Sequence, residues 1–275
     1  MKINFGYSPC PNDTFIFAPL VNGKIFDNDI ELIPYLADVQ ELNQLVLSGE
    51  LPLSKMSYHA WLHSSKQYMM LESGGALGRN CGPLLISKRK IYPDEVKLVK
   101  IAIPGEHTTA NLLMSIAFPE AKQKKSYLFS EIEEVILSEE ADAGVIIHEN
   151  RFTYKQKGLK LIMDLGEYWE NEYKFPIPLG TIAIRRDFPQ DILQKVNQLI
   201  FRSIEYAMSH PEESMDYVKK HAQTMSESVM LSHINLYVSK YTQQIGDDGK
   251  DAIQKLIEVA TANALCEQVT KPYFV

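Results

Sequence analysis

A chain of 275 residues is long enough for one large domain or two modest ones, each with its own core. Hydrophobic residues make up 45% and charged residues 23%, the balance of a globular protein rather than a disordered one. The formal charge of −7 comes without any basic run, which argues against a nucleic-acid partner, and no apolar stretch is long enough to span a bilayer. Three widely spaced cysteines, Cys10, Cys81 and Cys266, suit a reducing compartment and predict no disulfide framework. The N-terminus runs directly into an alternating strand without the apolar segment of a signal peptide, so a cytoplasmic location is expected.

Residues 2–7 predict a strand, broken by Ser8-Pro9-Cys10-Pro11. Asn12, Asp13 and Thr14 are N-cap residue types and predict a helix through Phe15–Leu20, ended by Asn22-Gly23. Strand, polar loop and helix N-terminus in succession form either an anion-receptive arrangement or simply a capped helix. Ile30–Leu36 alternates as a strand and Val39–Leu47 has helical spacing. Leu51–Met56 is another strand, and Lys55-Met56-Ser57 lies at its exit into a helix over Tyr58–Ser65. Lys55 is there either a surface lysine or a partner for an acidic ligand. His59 and His63 stand at i, i+4 on that helix, but the glutamate of a zinc helix is missing between them and no metal site is expected. The glycine-rich stretch Ser73–Gly82 lacks the strand-then-helix context of a dinucleotide fingerprint and predicts a tight turn bordering a cleft.

The pattern then repeats. Val99–Ile103 predicts a strand, Pro104–Asn111 a polar loop carrying His107, Thr108, Thr109 and Ala110, and Leu112–Phe118 a helix. A short strand is expected at Leu128-Phe129, and a capping box opening a helix at Ser130–Glu134. Ala143–Ile147 is small, apolar and β-branched, as in a fully buried strand of a parallel sheet. His148, Glu149, Asn150 and Arg151 follow at its carboxyl end, where open α/β sheets bind ligands. Leu159–Asp164 and Thr181–Arg185 read as strands, with a polar, aromatic segment at Trp169–Tyr173 between them. From Pro189 onward the periodicity is helical, and His210, His221 and His233 within it suggest no role.

This order of elements predicts an α/β protein of two lobes, residues 1–96 with 182–275 forming the larger and 97–181 the smaller. The chain crosses between them twice, at Leu84–Ser87 and Thr181–Arg185, and the C-terminal helices return to the larger lobe. A ligand is expected in the crevice, between Ser8–Thr14 and Lys55–Tyr58 on one side and His107–Asn111 and His148–Arg151 on the other.

Ser8-Pro-Cys-Pro-Asn-Asp-Thr-Phe15, Ser73-Gly-Gly-Ala-Leu-Gly78, His107-Thr-Thr-Ala110, Ile146-Ile-His-Glu-Asn-Arg-Phe-Thr-Tyr154 and Pro178-Leu-Gly180 closely resemble the 1,4-dihydroxy-6-naphthoate synthases of the futalosine route to menaquinone. The resemblance runs almost end to end. It implies a two-lobed, periplasmic-binding-protein-like fold of type II with two hinge crossings and C-terminal helices. It implies a small-molecule substrate bearing an aromatic carboxylate, cyclic dehypoxanthinyl futalosine, cleaved at a carbon–carbon bond to the naphthoate and dihydroxyacetone, with no cofactor and no metal. By the same resemblance His148 is the general base, and Lys55, Met56, Ser57, Thr108, Thr109 and Ala110 contact substrate; Asn12 and Asp13 join them from the first polar loop. Histidine suits the chemistry because its ordinary pKa lies near neutrality, and the Thr108 and Thr109 hydroxyls are expected to donate to an oxyanion. Chorismate dehydratase, which shares the fold, and a transporter's solute-binding protein are the alternatives. The Ser-Pro-Cys-Pro-Asn-Asp and Ile-Ile-His-Glu motifs speak against the first, and the missing signal peptide against the second.

Overall fold

A computed structural model describes residues 1–148, 150–222 and 226–275. Its strands are β1 (Lys2–Tyr7), β2 (Glu31–Leu36), β3 (Leu53–Ser57), β4 (Tyr68–Met70), β5 (Ala76–Gly78), β6 (Leu84–Ser87), β7 (Ile101–Ile103), β8 (Lys124–Ser126), β9 (Ala143–Ile146), β10 (Lys160–Asp164) and β11 (Ile177–Arg185). Its helices are α1 (Pro11–Val21), α2 (Val39–Leu47), α3 (Tyr58–Ser64), α4 (Thr109–Ala117), α5 (Ile132–Leu137), α6 (Asn150–Thr153), α7 (Leu165–Tyr173), α8 (Gln190–Ser209), α9 (Pro211–His221), α10 (Glu227–Tyr237), α11 (Lys240–Gln243) and α12 (Gly246–Ala262). No described helix is long and apolar enough to cross a membrane.

The strands form two sheets, one ordered β2-β1-β3-β11-β4 with β5 also on β11, the other β10-β6-β9-β7-β8. Within each, the strand–helix–strand units give parallel pairs: β1 with β2 and β3, β7 with β8 and β9. Strands that enter from the other lobe pair antiparallel, β11 on β3 and β6 on β9. The sheets are therefore mixed, although β9 is buried along its whole length as a parallel-sheet strand would be. β6, inside the 1–96 range expected for the larger lobe, is an inner strand of the second sheet, so sheet membership changes before Leu84 rather than at residue 96.

Two apolar layers sandwich the first sheet. Phe5, Phe17, Ile182, Ile200 and Val218 belong to a cluster joining β1 and β11 to α1, α8 and α9. On the other side a larger cluster runs from Met56 and Trp61 through Leu112 and Leu113 to Trp169 and Leu256, and so is shared by both lobes. α12 touches both β11 and α4, so the C-terminal helices are not confined to the larger lobe.

Local chemistry accounts for most helix limits. α1 begins at Pro11, one residue after Cys10, because proline at the first helical position forfeits no hydrogen bond. Asn12, Asp13 and Thr14 therefore occupy the first turn and are not caps. Asp38 caps α2, Thr108 caps α4 and Asp164 caps α7, each accepting from first-turn N–H groups. The expected strand at Leu128-Phe129 is instead a 3-10 turn over Phe129–Glu131, and Ser130 makes no capping box. The edge strand lies earlier, at Lys124–Ser126, where lysines give no apolar signal but protect an open edge. α7 was masked in the sequence by its polar surface; only one side, with Leu165 and Trp169, is buried.

At the first crossing, the backbones of Gly82 and Gly166 meet so closely that a Cβ on Gly82 would lie 2.3 Å from the Gly166 Cα. Neither residue has room for a side chain. Gly82→Ala is expected to destabilise the protein by about 1–3 kcal/mol through overpacking, read as a lowered urea midpoint at unchanged slope. A midpoint equal to wild type would show that the crossing tolerates separation of the segment before β6 from the start of α7.

Candidate active site

The cleft between the sheets holds a cavity of about 110 Å³, partly open to solvent. Of the residues expected at the crevice, those given a substrate or catalytic role line it: Asn12 and Asp13 from α1, Lys55, Met56 and Ser57 from β3, Thr108, Thr109 and Ala110 at the start of α4, and His148 after β9. All but His148 are buried, and His148 is half-buried. They converge because β1, β3, β7 and β9 all end at this crevice, as parallel strands of α/β sheets do.

The floor of the cavity is an ion pair. Lys55 Nζ lies 3.0 Å from Asp13 Oδ1, with only 9% and 3% of the two side chains exposed. Asp13 also accepts from Ser8 Oγ at 2.8 Å and from Asn12 Nδ2 at 2.8 Å, while Lys55 donates to the Gly74 carbonyl at 2.6 Å. The lysine is thus neutralised by a neighbour and contributes little net charge toward a ligand. Its sequence reading as either surface residue or ligand partner gives way to a buried structural pair that borders the site.

Hydroxyl roles also differ from expectation. Thr109 donates to the Leu179 carbonyl at 2.6 Å, and Thr108 donates to the Gly105 carbonyl at 2.8 Å while capping α4. Both hydroxyl hydrogens are committed to backbone, so neither donates to an oxyanion. The first-turn N–H groups of Thr109 and Ala110 have no acceptor within the helix and face the same cavity. Ser57 Oγ accepts from Asn43 Nδ2 at 3.1 Å, and Asn43 Oδ1 takes the Ser57 N–H at 2.9 Å, leaving the serine hydrogen for a ligand.

His148 adopts a left-handed backbone conformation, with φ of 56°. That region is uncommon for a residue with a side chain, and strain of this kind gathers at functional sites. The ring stacks on His233 at 5.8 Å, meets Phe129 edge-on at 4.9 Å, and places Nδ1 3.6 Å from the Cys10 Sγ. Cys10 and His233 belong to elements of the first lobe and Phe129 to the second, so contacts from both lobes orient the ring. Glu149, the sequence candidate for holding the ring, lies outside the described residues. Arg151 does not line the cavity; it pairs with Asp164 at 2.7 Å and donates to the Gly82 carbonyl, tying the loop to the crossing.

Sequence reasoning missed several contributors. Tyr237 of α10 lines the cavity, and His233, one turn before it, is fully buried behind His148. Neither gives a local signal, because a helix that packs on another element looks the same whichever element it meets. Leu179 and Gly180 of β11 and Cys81 also border the cavity. Burial, and then the Glu170 carboxylate, push the Cys81 thiol up to about 12, so it is a protonated, weakly polar wall near neutrality. His107, the other strand-end histidine, is absent from the cavity lining; its ring lies against His59 and His63.

Residues 3–262 match the family described as Menaquinone biosynthesis. A curated relative named 1,4-dihydroxy-6-naphthoate synthase from Thermus thermophilus is 39% identical over 273 residues, covering 99% of each chain. A second of the same name from Streptomyces coelicolor is 36% identical, covering 96% of this chain and 94% of the relative. A crystal structure from Archaeoglobus fulgidus superposes with a TM-score of 0.90 at 32% identity, covering 96% of this chain and 98% of that one. The alkanesulfonate-binding protein of Xanthomonas axonopodis shares the fold at TM-score 0.75 and 11% identity, covering 100% and 98%.

Two outcomes follow from the buried groups. Lys55→Met leaves Asp13 buried without its cation and is expected to destabilise by about 3–5 kcal/mol, with Lys55→Met/Asp13→Asn recovering most of that loss; denaturant titration of the three proteins measures the coupling. Burial, and then the neighbouring His148, hold His233 well below the usual histidine range, so the unfolded chain takes up its proton first. Stability from His233 is then complete above about pH 6.5 and falls as the pH drops below it. His233→Phe is expected to flatten the acid side of the stability–pH curve between about pH 6.5 and 5, and an unchanged acid limb would assign that limb to other groups.

Proposed function

The chain belongs to the menaquinone-biosynthesis family, and from that membership we propose that it is a 1,4-dihydroxy-6-naphthoate synthase acting in the cytoplasm as a carbon–carbon lyase. The substrate is cyclic dehypoxanthinyl futalosine, and the products are 1,4-dihydroxy-6-naphthoate and dihydroxyacetone. Such a cleavage sends no electrons to an outside acceptor, so the chemistry asks for a base and an anion site rather than a redox cofactor.

The observation that carries this reading is His148: a histidine in a strained conformation, at the end of a buried strand, on the wall of an apolar cavity. As general base it takes a proton from a substrate hydroxyl or carbon as the carbon–carbon bond opens and the second ring aromatises. Proton transfer tolerates little displacement, and the clamp of Cys10, Phe129 and His233 restricts the ring to one orientation. His233 is in this scheme a positioning residue. The substrate carboxylate lies against the N-termini of α1 and α4, where the Asn12, Thr109 and Ala110 positions offer backbone N–H groups, and receives the Ser57 hydroxyl hydrogen. Met56, Leu179 and Tyr237 supply apolar wall for the ring system. Because the base and its clamp come from both lobes, substrate entry requires the cleft to open and closure reassembles the base.

His148→Asn is a fitting probe because asparagine tolerates the left-handed backbone. It is expected to lower turnover of the cyclic substrate, followed by the naphthoate chromophore, by about 10²–10⁴-fold with melting temperature and product affinity near wild type. A folded variant that keeps a tenth or more of the activity would remove His148 from the role, and a wild-type enzyme inert on this substrate would sink the proposed reaction. Ser57→Ala is expected to weaken binding of a naphthoate by about 1–3 kcal/mol in titration calorimetry, and to leave unchanged the already poor binding of the corresponding amide. Equal losses for acid and amide would place the carboxylate elsewhere.

A further inference from the structure

Outside the cavity, three histidines from two lobes meet. His59 and His63 lie one turn apart on α3 of the first lobe, and His107 reaches them from the β7–α4 loop of the second. Their rings form a triangle with centroid separations of 5.2, 5.8 and 5.1 Å. One ring nitrogen from each lies within 4.8 Å of those of the other two. We propose that His59, His63 and His107 form a binding site for a divalent late transition metal, a cation such as Zn²⁺ or Co²⁺, which joins the two lobes.

Donor chemistry selects the class. Three imidazole nitrogens suit Zn²⁺, Co²⁺, Ni²⁺ and Cu²⁺, whereas Mg²⁺ and Ca²⁺ require oxygen ligands. Zn–N bonds of about 2.0–2.1 Å put tetrahedral ligand nitrogens about 3.4 Å apart, so the rings need close by only about an ångström from their present spacing. Two observations beyond the clustering point to a ligand. The Nδ1 of His107 is buried and has no hydrogen-bond partner, a costly state for a neutral imidazole that a cation would relieve. The Nδ1 of His59 lies 3.2 Å from the Thr108 carbonyl, the arrangement by which an outer partner fixes the tautomer of a metal-binding histidine; the Leu265 backbone also reaches the His59 and His63 rings and would give way to a metal. His59 is buried, His107 half-buried and His63 exposed, which leaves an entry from solvent and room for water as a fourth ligand. The zinc-helix glutamate missing between His59 and His63 is no obstacle, because it is a catalytic base in such helices and not a ligand. His107, supplied by the other lobe, is the third donor.

The bridge has a structural consequence. The Thr108 carbonyl that faces His59 belongs to the residue capping α4, whose first turn lines the cavity. A metal on His107 therefore holds the β7–α4 loop against α3 and favours the closed cleft.

The test uses chelator-stripped full-length protein, titrated with Co²⁺ and with Zn²⁺. One Co²⁺ per chain is expected to bind saturably with the visible absorption of a nitrogen-ligated ion, to be displaced by Zn²⁺ and to be unaffected by excess Mg²⁺. His63→Gln, at the exposed position where folding is least at risk, is expected to weaken binding at least about tenfold, the loss that even an outer partner of a metal ligand produces. His63→Gln/His107→Gln should abolish the Co²⁺ spectrum and the zinc-dependent rise in melting temperature. Absence of saturable binding to the wild type overturns the proposal, as does binding that survives the double substitution, which would locate the metal elsewhere, for example at a cysteine. Retention of the melting temperature of metal-free protein in both variants separates loss of the site from loss of the fold.

Discussion

The buried pair between Asp13 and Lys55 sets the geometry of the cleft floor. Two opposite charges out of water are tolerated only when every remaining donor and acceptor is matched, and here Ser8, Asn12 and the Gly74 carbonyl complete the set. The pair and its partners lie on the β1–α1 turn, the first turn of α1, β3 and the turn before β5, so satisfying one pair fixes these segments together. The pair also neutralises the lysine, which leaves helix termini and the Ser57 hydroxyl as the donors for the proposed carboxylate substrate.

A second constraint is that each lobe completes the other's side chains. His148 projects from the second sheet, yet Cys10 and His233 of the first lobe orient it. His107 also comes from the second lobe, yet its ring rests on His59 and His63. Both arrangements exist only when the lobes are together. Between them runs the first turn of α4, held to β11 by the Thr109–Leu179 hydrogen bond. The apolar cluster shared across the lobes adds a cost to opening, because separating them exposes part of it.

Neighbours with the same fold at low identity include an alkanesulfonate-binding protein. The fold itself presents helix N-termini to a closable cleft, which is sufficient for holding an anion. A binding site becomes a catalytic one when a group able to take a proton is fixed on its wall. The group proposed for that role here, His148, follows β9, whose small, β-branched residues are buried on both faces and give the histidine a rigid base.

The local order of elements was legible in the sequence because it depends on nearest neighbours. Alternation marked β1 and β2, cap-type residues after two prolines and an Asn-Gly end marked α1 apart from its first turn, and an uninterrupted apolar run ending in polar residues marked β9 and the loop with His148. The nine residues placed at the cleft from sequence share one cavity, since strand ends in an α/β sheet point the same way. What local pattern could not carry was the identity of each side chain's partner. Whether Lys55 faces solvent or Asp13, whether the Thr109 hydroxyl donates to a ligand or to Leu179, and which ring lies behind His148 are decided by segments scores of residues away. The same holds for His59 and His63: their spacing is local, but the third histidine comes from the other lobe, and only the packing of α3 against the β7–α4 loop brings it within reach.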